Sequence, residues 1–541
     1  MRVDTVYAGG VILPGGGRMP VDRLAVAGST IVATGKDCDG LTARKHIDLG
    51  GRWVVAGFHD AHNHLAWFGL TLDDLDLSTP PMHSVADIYE LVASAAAERP
   101  PGSWIKGAGY DDNKLAGGHP HRDALDRVAP DNPVWLRHRS GHMAVVNSHV
   151  LNRLGRDVPA GGDIDLDNHG RPTGLLVEQA QLLLQPLIYP VPLADLLRAI
   201  DRASSLLLAE GITSVQEAGV GAGLLGSSPV EIAAYQTARD GGQLKVRTVL
   251  MVALENLHQA GCGVGPEGFG LDLGIRSGFG DDWLRLGPVK IWADGSLIGR
   301  TAAMSAPYEN EAANSGFFQL DVPSLRAAIR NVHRSGWQIA THAIGDLAVH
   351  EVLNAYADAL AESPRTDCRH RIEHCGVIRP DDVPRLRELG VIPVPQGRFI
   401  NELGDGMLAA LGRERINWCY RQRSFLNVGV PLPASSDRPV VNGAPLLGMA
   451  DLVHRRTASG AVLAPHERIT PQQALRAYTF GSAYAAFREN RVGALTPGHL
   501  ADFVVLSGDP RQRLGEHSPD LEIVATAVGG ALAYDPEGIA A

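Results

Sequence analysis

One feature constrains this chain more than any other. Short apolar segments alternate with helix-like stretches along most of its length. The segments are VVAGFHDAHNH (54–64), TSVQEAG (213–219), VRTVLMV (246–252), VKIWADG (289–295), WQIATHAIGD (337–346), RIEHC (371–375), VIPVPQ (391–396) and PLPASSD (431–437). Stretches such as LRAAIRNVHRSG and DDVPRLRELG lie between them and read as helices. Strands alternating with helices assemble into a parallel sheet, because parallel neighbours need a long crossover and the helix supplies it. Eight strands is the count of a (β/α)8 barrel. The expected fold class is α/β, built on a (β/α)8 TIM-type barrel.

The rest of the chain needs its own accommodation. At 541 residues it exceeds what one simple core holds, so two or three domains are expected. Residues 1–56 and 490–541 both read as short strands with Gly-rich turns. They are expected to meet in one small β-sandwich domain. The gap between the first and second barrel strands is far too long for a loop. Residues 76–204 are expected to form an inserted α/β subdomain covering the active site, which leaves 57–75 and 205–489 for the barrel.

Charge and cysteine content exclude some classes of function. The net charge of −11 comes from 60 acidic and 49 basic residues spread along the chain, with no basic patch to attract nucleic acid. The five cysteines (Cys38, Cys262, Cys368, Cys375 and Cys419) are widely spaced and form no CxxC, which fits a reducing compartment. The first residues lack the basic start and apolar core of a signal peptide, and no apolar run is long enough to span a bilayer. The expectation is a cytoplasmic protein with a small-molecule substrate, no nucleic-acid or membrane partner, and a homodimer as the default assembly.

Chemistry gathers where the strands end, which in such a barrel is the active-site face. The first strand supplies His62 and His64, and residues two apart on a strand point to one side. Asp60 shares their parity and is a candidate for orienting a ligand imidazole, whereas His59 has the opposite parity and gets no role. Later strand ends carry Lys290 with Asp294, His342, Glu373 with His374, and Asp437. Imidazole nitrogens and carboxylate oxygens are the ligands of zinc and neighbouring divalent ions. Lys290 conflicts with such a site, because an ammonium repels a cation and is costly in an apolar strand. Carboxylation resolves the conflict by turning it into an anionic bridging ligand. The alternative is an ion pair between Lys290 and a neighbour such as Asp294.

This order of residues resembles the amidohydrolase superfamily, and more closely the amidohydrolase-3 group of N-substituted formamide deformylases and exoenzyme-regulator-like proteins. The matching stretches are AGFHDAHNH, RSGHMAVVNSHVL, GITSVQEAG, VKIWADGSLIGRTAAMSAPY, THAIGDLAV, RIEH, ASSDRPV and VGALTPGHLADFVVL. The resemblance implies a metal-dependent barrel with a small sandwich made from both termini. It implies one or two divalent ions, zinc foremost, held by His62, His64, carboxylated Lys290, His342, His374 and Asp437. One departure is Ile298, which stands where the family commonly has a small residue.

The reaction expected on this basis is hydrolysis of a C–N bond in an amide, N-acyl or N-formyl amine, by a metal-bound hydroxide. Asp437 is the expected general base and acid, and His142 a donor to the oxyanion. Asp294, Arg300 and Trp67 are candidates for positioning substrate, with Trp292 and Phe399 as further aromatics of the pocket. Arg300 has an alternative role in anchoring its loop through a salt bridge. Two other readings compete: a single-metal deaminase and a non-catalytic regulator that keeps the fold. A deaminase usually shows a Glu soon after the fifth-strand His, where this chain has AIGD.

Overall fold

A computed structural model describes residues 1–155, 157–222, 226, 228–259, 269–515 and 520–539, and Cys262 lies outside them. Seven of the eight apolar segments pair in parallel, side by side in chain order. They are β1 (Phe58–Asn63), β2 (Ile212–Val220), β3 (Arg247–Ala253), β4 (Leu284–Trp292), β5 (Ile339–Ala343), β6 (Arg371–His374) and β7 (Ile392–Val394). Nearly every residue in them is buried, as expected of a parallel sheet covered on both faces. The helix Val322–Arg334 buries Leu325, Ile329 and Val332, spaced four and three apart on one face. Asp321 caps it by accepting the Ser324 N–H at 2.8 Å.

The eighth segment is not a regular strand. Pro431 and Pro433 lack the N–H that a ladder needs. The segment still joins the two edges of the sheet. Ser435 bridges Gln396, just beyond β7. On the other side the Ala61 N–H donates to the Ala434 carbonyl at 3.1 Å, and the Asp437 N–H donates to the His62 carbonyl at 2.8 Å. The seven-stranded sheet is therefore nearly closed, with Asp437 brought beside the end of β1.

Both chain ends contribute to a single eight-stranded sheet. Arg2–Ile12 pairs with Val21–Ala27, Thr42–Asp48 and Trp53–Ala56. Trp53–Ala56 then pairs antiparallel with Phe503–Leu506, which leads on to Ile523–Val528 and Ala531–Tyr534. Tyr7, Leu24, Val54, Phe503, Val505 and Ala525 share one core beneath it.

The long segment after β1 forms a six-stranded sheet of its own. Leu75–Asp76, Ile105–Tyr110 and Val134–His138 run parallel, while Met143–Val146, Pro172–Glu178 and Gly162–Leu166 continue the sheet antiparallel. It has a separate core that includes Leu77, Ile88, Val92, Leu125 and Leu136. The helix Leu193–Ala209 behaves differently: Leu196, Ile200, Ala203 and Leu207 pack into the core of the parallel sheet with Phe58 and Ile212. The expected boundary at residue 204 falls inside this helix. Among the described residues no single helix is long and apolar enough to cross a membrane. Cys38, Cys368, Cys375 and Cys419 are free and buried.

Candidate metal centre

The ends of β1, β5 and β6 and the eighth segment place four histidines and one aspartate together. The ring centres of His62 and His64 lie 5.3 Å apart, those of His62 and His374 5.0 Å, and those of His342 and His374 4.5 Å. Asp437 Oδ1 lies 3.3 Å from His62 Nε2 and 3.1 Å from His64 Nε2. One ligand atom from each of His62, His64 and Asp437 lies within 4.8 Å of the others. Lys290 is buried in β4, and its charge acts on His64, His342, His374, Glu373 and Asp437.

The outer contacts decide which ring nitrogen faces inward. Glu373 binds His62 Nδ1, which leaves Nε2 as a buried atom with no hydrogen-bond partner. Gln396 Oε1 lies 2.8 Å from His374 Nδ1, so that ring also turns its Nε2 inward. His342 Nε2 lies 3.1 Å from the Gly295 carbonyl, and with Nε2 donating there the Nδ1 lone pair is left free. Rings fixed in this way suit metal ligation, in which one nitrogen is anchored and the other coordinates. The orphaned Nε2 of His62 in particular fits a bound cation.

Glu373 and His374 are adjacent in β6 and would face opposite sides of a regular strand. His374 has φ 69°, which breaks the pleat and lets both residues serve one site. Asp437 also has positive φ, at 60°. Glu373 is held by Arg371, which donates from Nε at 2.8 Å and Nη2 at 2.9 Å and also reaches the Ala61 carbonyl at 2.7 Å.

Burial sets much of the electrostatics. It pushes His64 down to about 4 and His374 to about 3, and it holds His342 well below the ordinary imidazole value. These rings are neutral, as ligands must be. Burial also pushes Lys290 down to about 8 against the pull of Glu373 and Asp437. For two carboxylates burial acts upward but is outweighed: Arg371 and His62 keep Glu373 low, and His62 with His64 keeps Asp437 low.

A narrow pocket, of about 30 Å³, lies beside this cluster. His142, Asp437 and His374 supply polar groups to its wall, and Ile298, Phe399 and Met407 supply apolar ones. Trp67 packs near His64, with ring centres 5.5 Å apart. Asp294 and Arg300 are not among the lining residues. Asp294 instead accepts the backbone N–H groups of Ala303, Ile344 and Gly345 at 2.8–3.0 Å, and burial pushes it up to about 7. Arg300 pairs with Glu311, which ties down its own loop. Trp292 lies against Lys290, its ring centre 5.2 Å from the ammonium.

Asp60 grips backbone and not an imidazole. It accepts from the His62 N–H, the Ser436 N–H and hydroxyl, and Asn63, and so ties β1 to the eighth segment. His59 points elsewhere, to Gln216 at 3.2 Å. Sequence reasoning did not assign Glu373, Gln396 or Glu178. The signal for Glu373 was its place two residues after Arg371 in RIEH, and Gln396 closes VIPVPQ. Nothing local marks Glu178.

The family model for the amidohydrolase family matches residues 45–534. The chain belongs to the amidohydrolase family. This amidohydrolase is 31% identical to the protein LONG AFTER FAR-RED 3 of Arabidopsis thaliana, over 98% of this chain and 91% of the plant protein. It is 30% identical to the N-substituted formamide deformylase of Arthrobacter pascens, over 91% of this chain and 90% of that enzyme. Among solved structures it resembles an uncharacterized metal-dependent hydrolase from Pyrococcus horikoshii, with a TM-score of 0.75 and 25% identity over 95% of this chain and 99% of the other.

Proposed function

We propose that this amidohydrolase is a metal-dependent hydrolase that cleaves the C–N bond of a linear amide, N-acyl amine or N-formyl amine. The observation that carries the reading is the convergence of His62, His64 and Asp437 at a buried His62 Nε2 that has no hydrogen-bond partner. The similarity to a formamide deformylase supports the bond type, and the similarity to a metal-dependent hydrolase supports the cofactor. In this reading the fold is a (β/α)8 barrel whose eighth strand is the proline-bearing segment before Asp437, with a sandwich-type terminal domain and an inserted subdomain over the mouth. His62, His64, Lys290, His342, His374 and Asp437 would hold one or two divalent ions, zinc foremost.

A divalent cation held there supplies Lewis acidity to water and to a carbonyl oxygen. Asp437 takes the proton of the attacking water and passes it to the departing nitrogen. Glu373 and Gln396 keep the His62 and His374 rings turned inward. With its value near 8, Lys290 has a neutral amine fraction at neutral pH. That amine can add carbon dioxide and lose a proton to become an anionic carbamate. Burial opposes it, but Glu178 raises His142 above the ordinary imidazole value, and the doubly protonated ring can donate its Nε2–H to the oxyanion from the pocket wall. Trp67 shields the His64 side of the site. Asp294 and Arg300 shape the loop rather than touch substrate.

A deaminase fits less well, since Asp346, the first carboxylate after His342, is engaged by Ser305 and Arg379. The test is a hydrolysis screen of zinc-reconstituted protein against N-formyl and N-acyl amines, amino-acid amides, lactones and cyclic amides, alongside metal analysis. Turnover of a linear amide or formamide with bound metal is the expected result. Full metal occupancy with ammonia released from an amino-purine or amino-pyrimidine and no amide turnover would replace this reading.

A further inference from the structure

Glu178 has an unusual position for a carboxylate. It ends the strand Pro172–Glu178 of the inserted sheet, is fully buried, and has φ 51° and ψ −124°, a backbone conformation that normally calls for glycine. A charged residue is not kept in a strained, water-free position unless its contacts hold it there. Its carboxylate is saturated with donors. Oε2 lies 2.7 Å from His142 Nδ1 and accepts from Gln319 Nε2 at 2.7 Å, while Oε1 accepts from the Thr301 hydroxyl. Its own N–H donates to the His142 carbonyl at 2.7 Å, so the two residues are locked beside the paired strands Met143–Val146 and Pro172–Glu178 by backbone as well as side chain.

These partners come from different parts of the fold. His142 belongs to the inserted sheet, whereas Thr301 and Gln319 belong to the segment after β4. Gly295 of that segment makes room: a Cβ there would lie 2.4 Å from Glu178 Oε1. The same glycine supplies the carbonyl that fixes His342. His142, held at Nδ1, presents its other edge to the cavity, with its ring centre 5.3 Å from that of His342.

We propose that Glu178 is a positioning residue of the hydrolytic site. It sets the His142 ring over the reacting carbonyl and couples that placement to the seating of the inserted subdomain on the segment after β4. This rests on the hydrolase reading above. Glu178 acts through His142, and no proton or bond is exchanged at its own carboxylate.

The test is a double-mutant cycle in zinc-loaded enzyme on the best amide from the screen. Glu178→Gln is expected to lower kcat about 100-fold, the size of losing one oxyanion donor, with KM and metal content little changed. In a His142→Ala background it should cost no further activity. Glu178→Asp, which keeps the charge but withdraws it by one carbon, should recover part of kcat, and it takes the place of Gln in the cycle if that variant does not fold. Losses that add in the double variant, or a loss confined to KM or metal content, would overturn the proposal. If wild type hydrolyses no amide, the hydrolase reading fails separately. The His142 ring nitrogen resonances, identified by their loss in His142→Ala, then decide the positioning role: displacement of the Nδ1–H signal in Glu178→Gln supports it, and an unmoved signal refutes it.

Discussion

At the scale of single residues, His62 and His64, which parity placed on one side of their strand, do lie together, and the contact that aims His62 comes from a residue given no role in the sequence. Glu373 is the clearest case, since it binds His62 Nδ1 and is itself clamped by Arg371. Glu373→Gln should lower metal affinity or activity roughly 10- to 100-fold, as for other groups that orient a ligand imidazole. Metal titration of the purified variant checks this, and affinity equal to wild type would remove Glu373 from the account. Lys290→Ala should be at least as damaging, because it deletes the proposed bridge. A variant with full metal content and activity would end the carboxylated-lysine proposal. His62 and His64 were legible because spacing of two on a strand fixes a common side, whereas His342 and His374 were marked by their places at strand ends and by the family resemblance. Glu178 was not, because its role depends on a strained turn and on partners more than a hundred residues away. Asp60 was expected to orient a ligand imidazole; its ties to the Ser436 N–H and the His62 N–H instead arise from tertiary packing that sequence alone does not give.

At the scale of elements, seven strands follow the apolar segments closely, since a strand buried on both faces leaves a continuous apolar run. The eighth departs for a local reason: two prolines remove its ladder donors, and the contacts it retains are those flanking Asp437. The strand β2 carries a further consequence. Glu217 is buried, accepts from the Ala66 N–H and the Tyr235 hydroxyl, and is pushed up by burial and then by Glu231 to about 8, from an ordinary 4.5. Below about pH 4.5 it is protonated folded or unfolded; above 8 folding must bury its charge. Its contribution to stability is therefore full at low pH and is lost as pH rises through 8. Melting temperatures of metal-free protein should decline across this window, and Glu217→Gln should flatten the decline. An equally steep decline in the variant would contradict this assignment.

At the scale of the whole molecule, the candidate centre draws on β1, β4, β5, β6 and the eighth segment, so a bound cation would cross-link most of the sheet. Removal of metal by a chelator should abolish amide hydrolysis and lower the melting temperature. Zinc should restore both, since a ligand that binds only the folded state stabilises it by mass action. Calorimetry with and without chelator reads this directly, and an unchanged transition would mean that the residues stand assembled without a cation. The terminal sheet has an effect of another kind. Trp53–Ala56 finds its partner in Phe503–Leu506, some 450 residues further on, while every strand of the seven-stranded parallel sheet lies between them. On the ribosome, the strands of the parallel sheet emerge before that partner exists. The early strands must wait with an open edge, so synthesis order exposes one unpaired sheet margin until nearly the whole chain has been made.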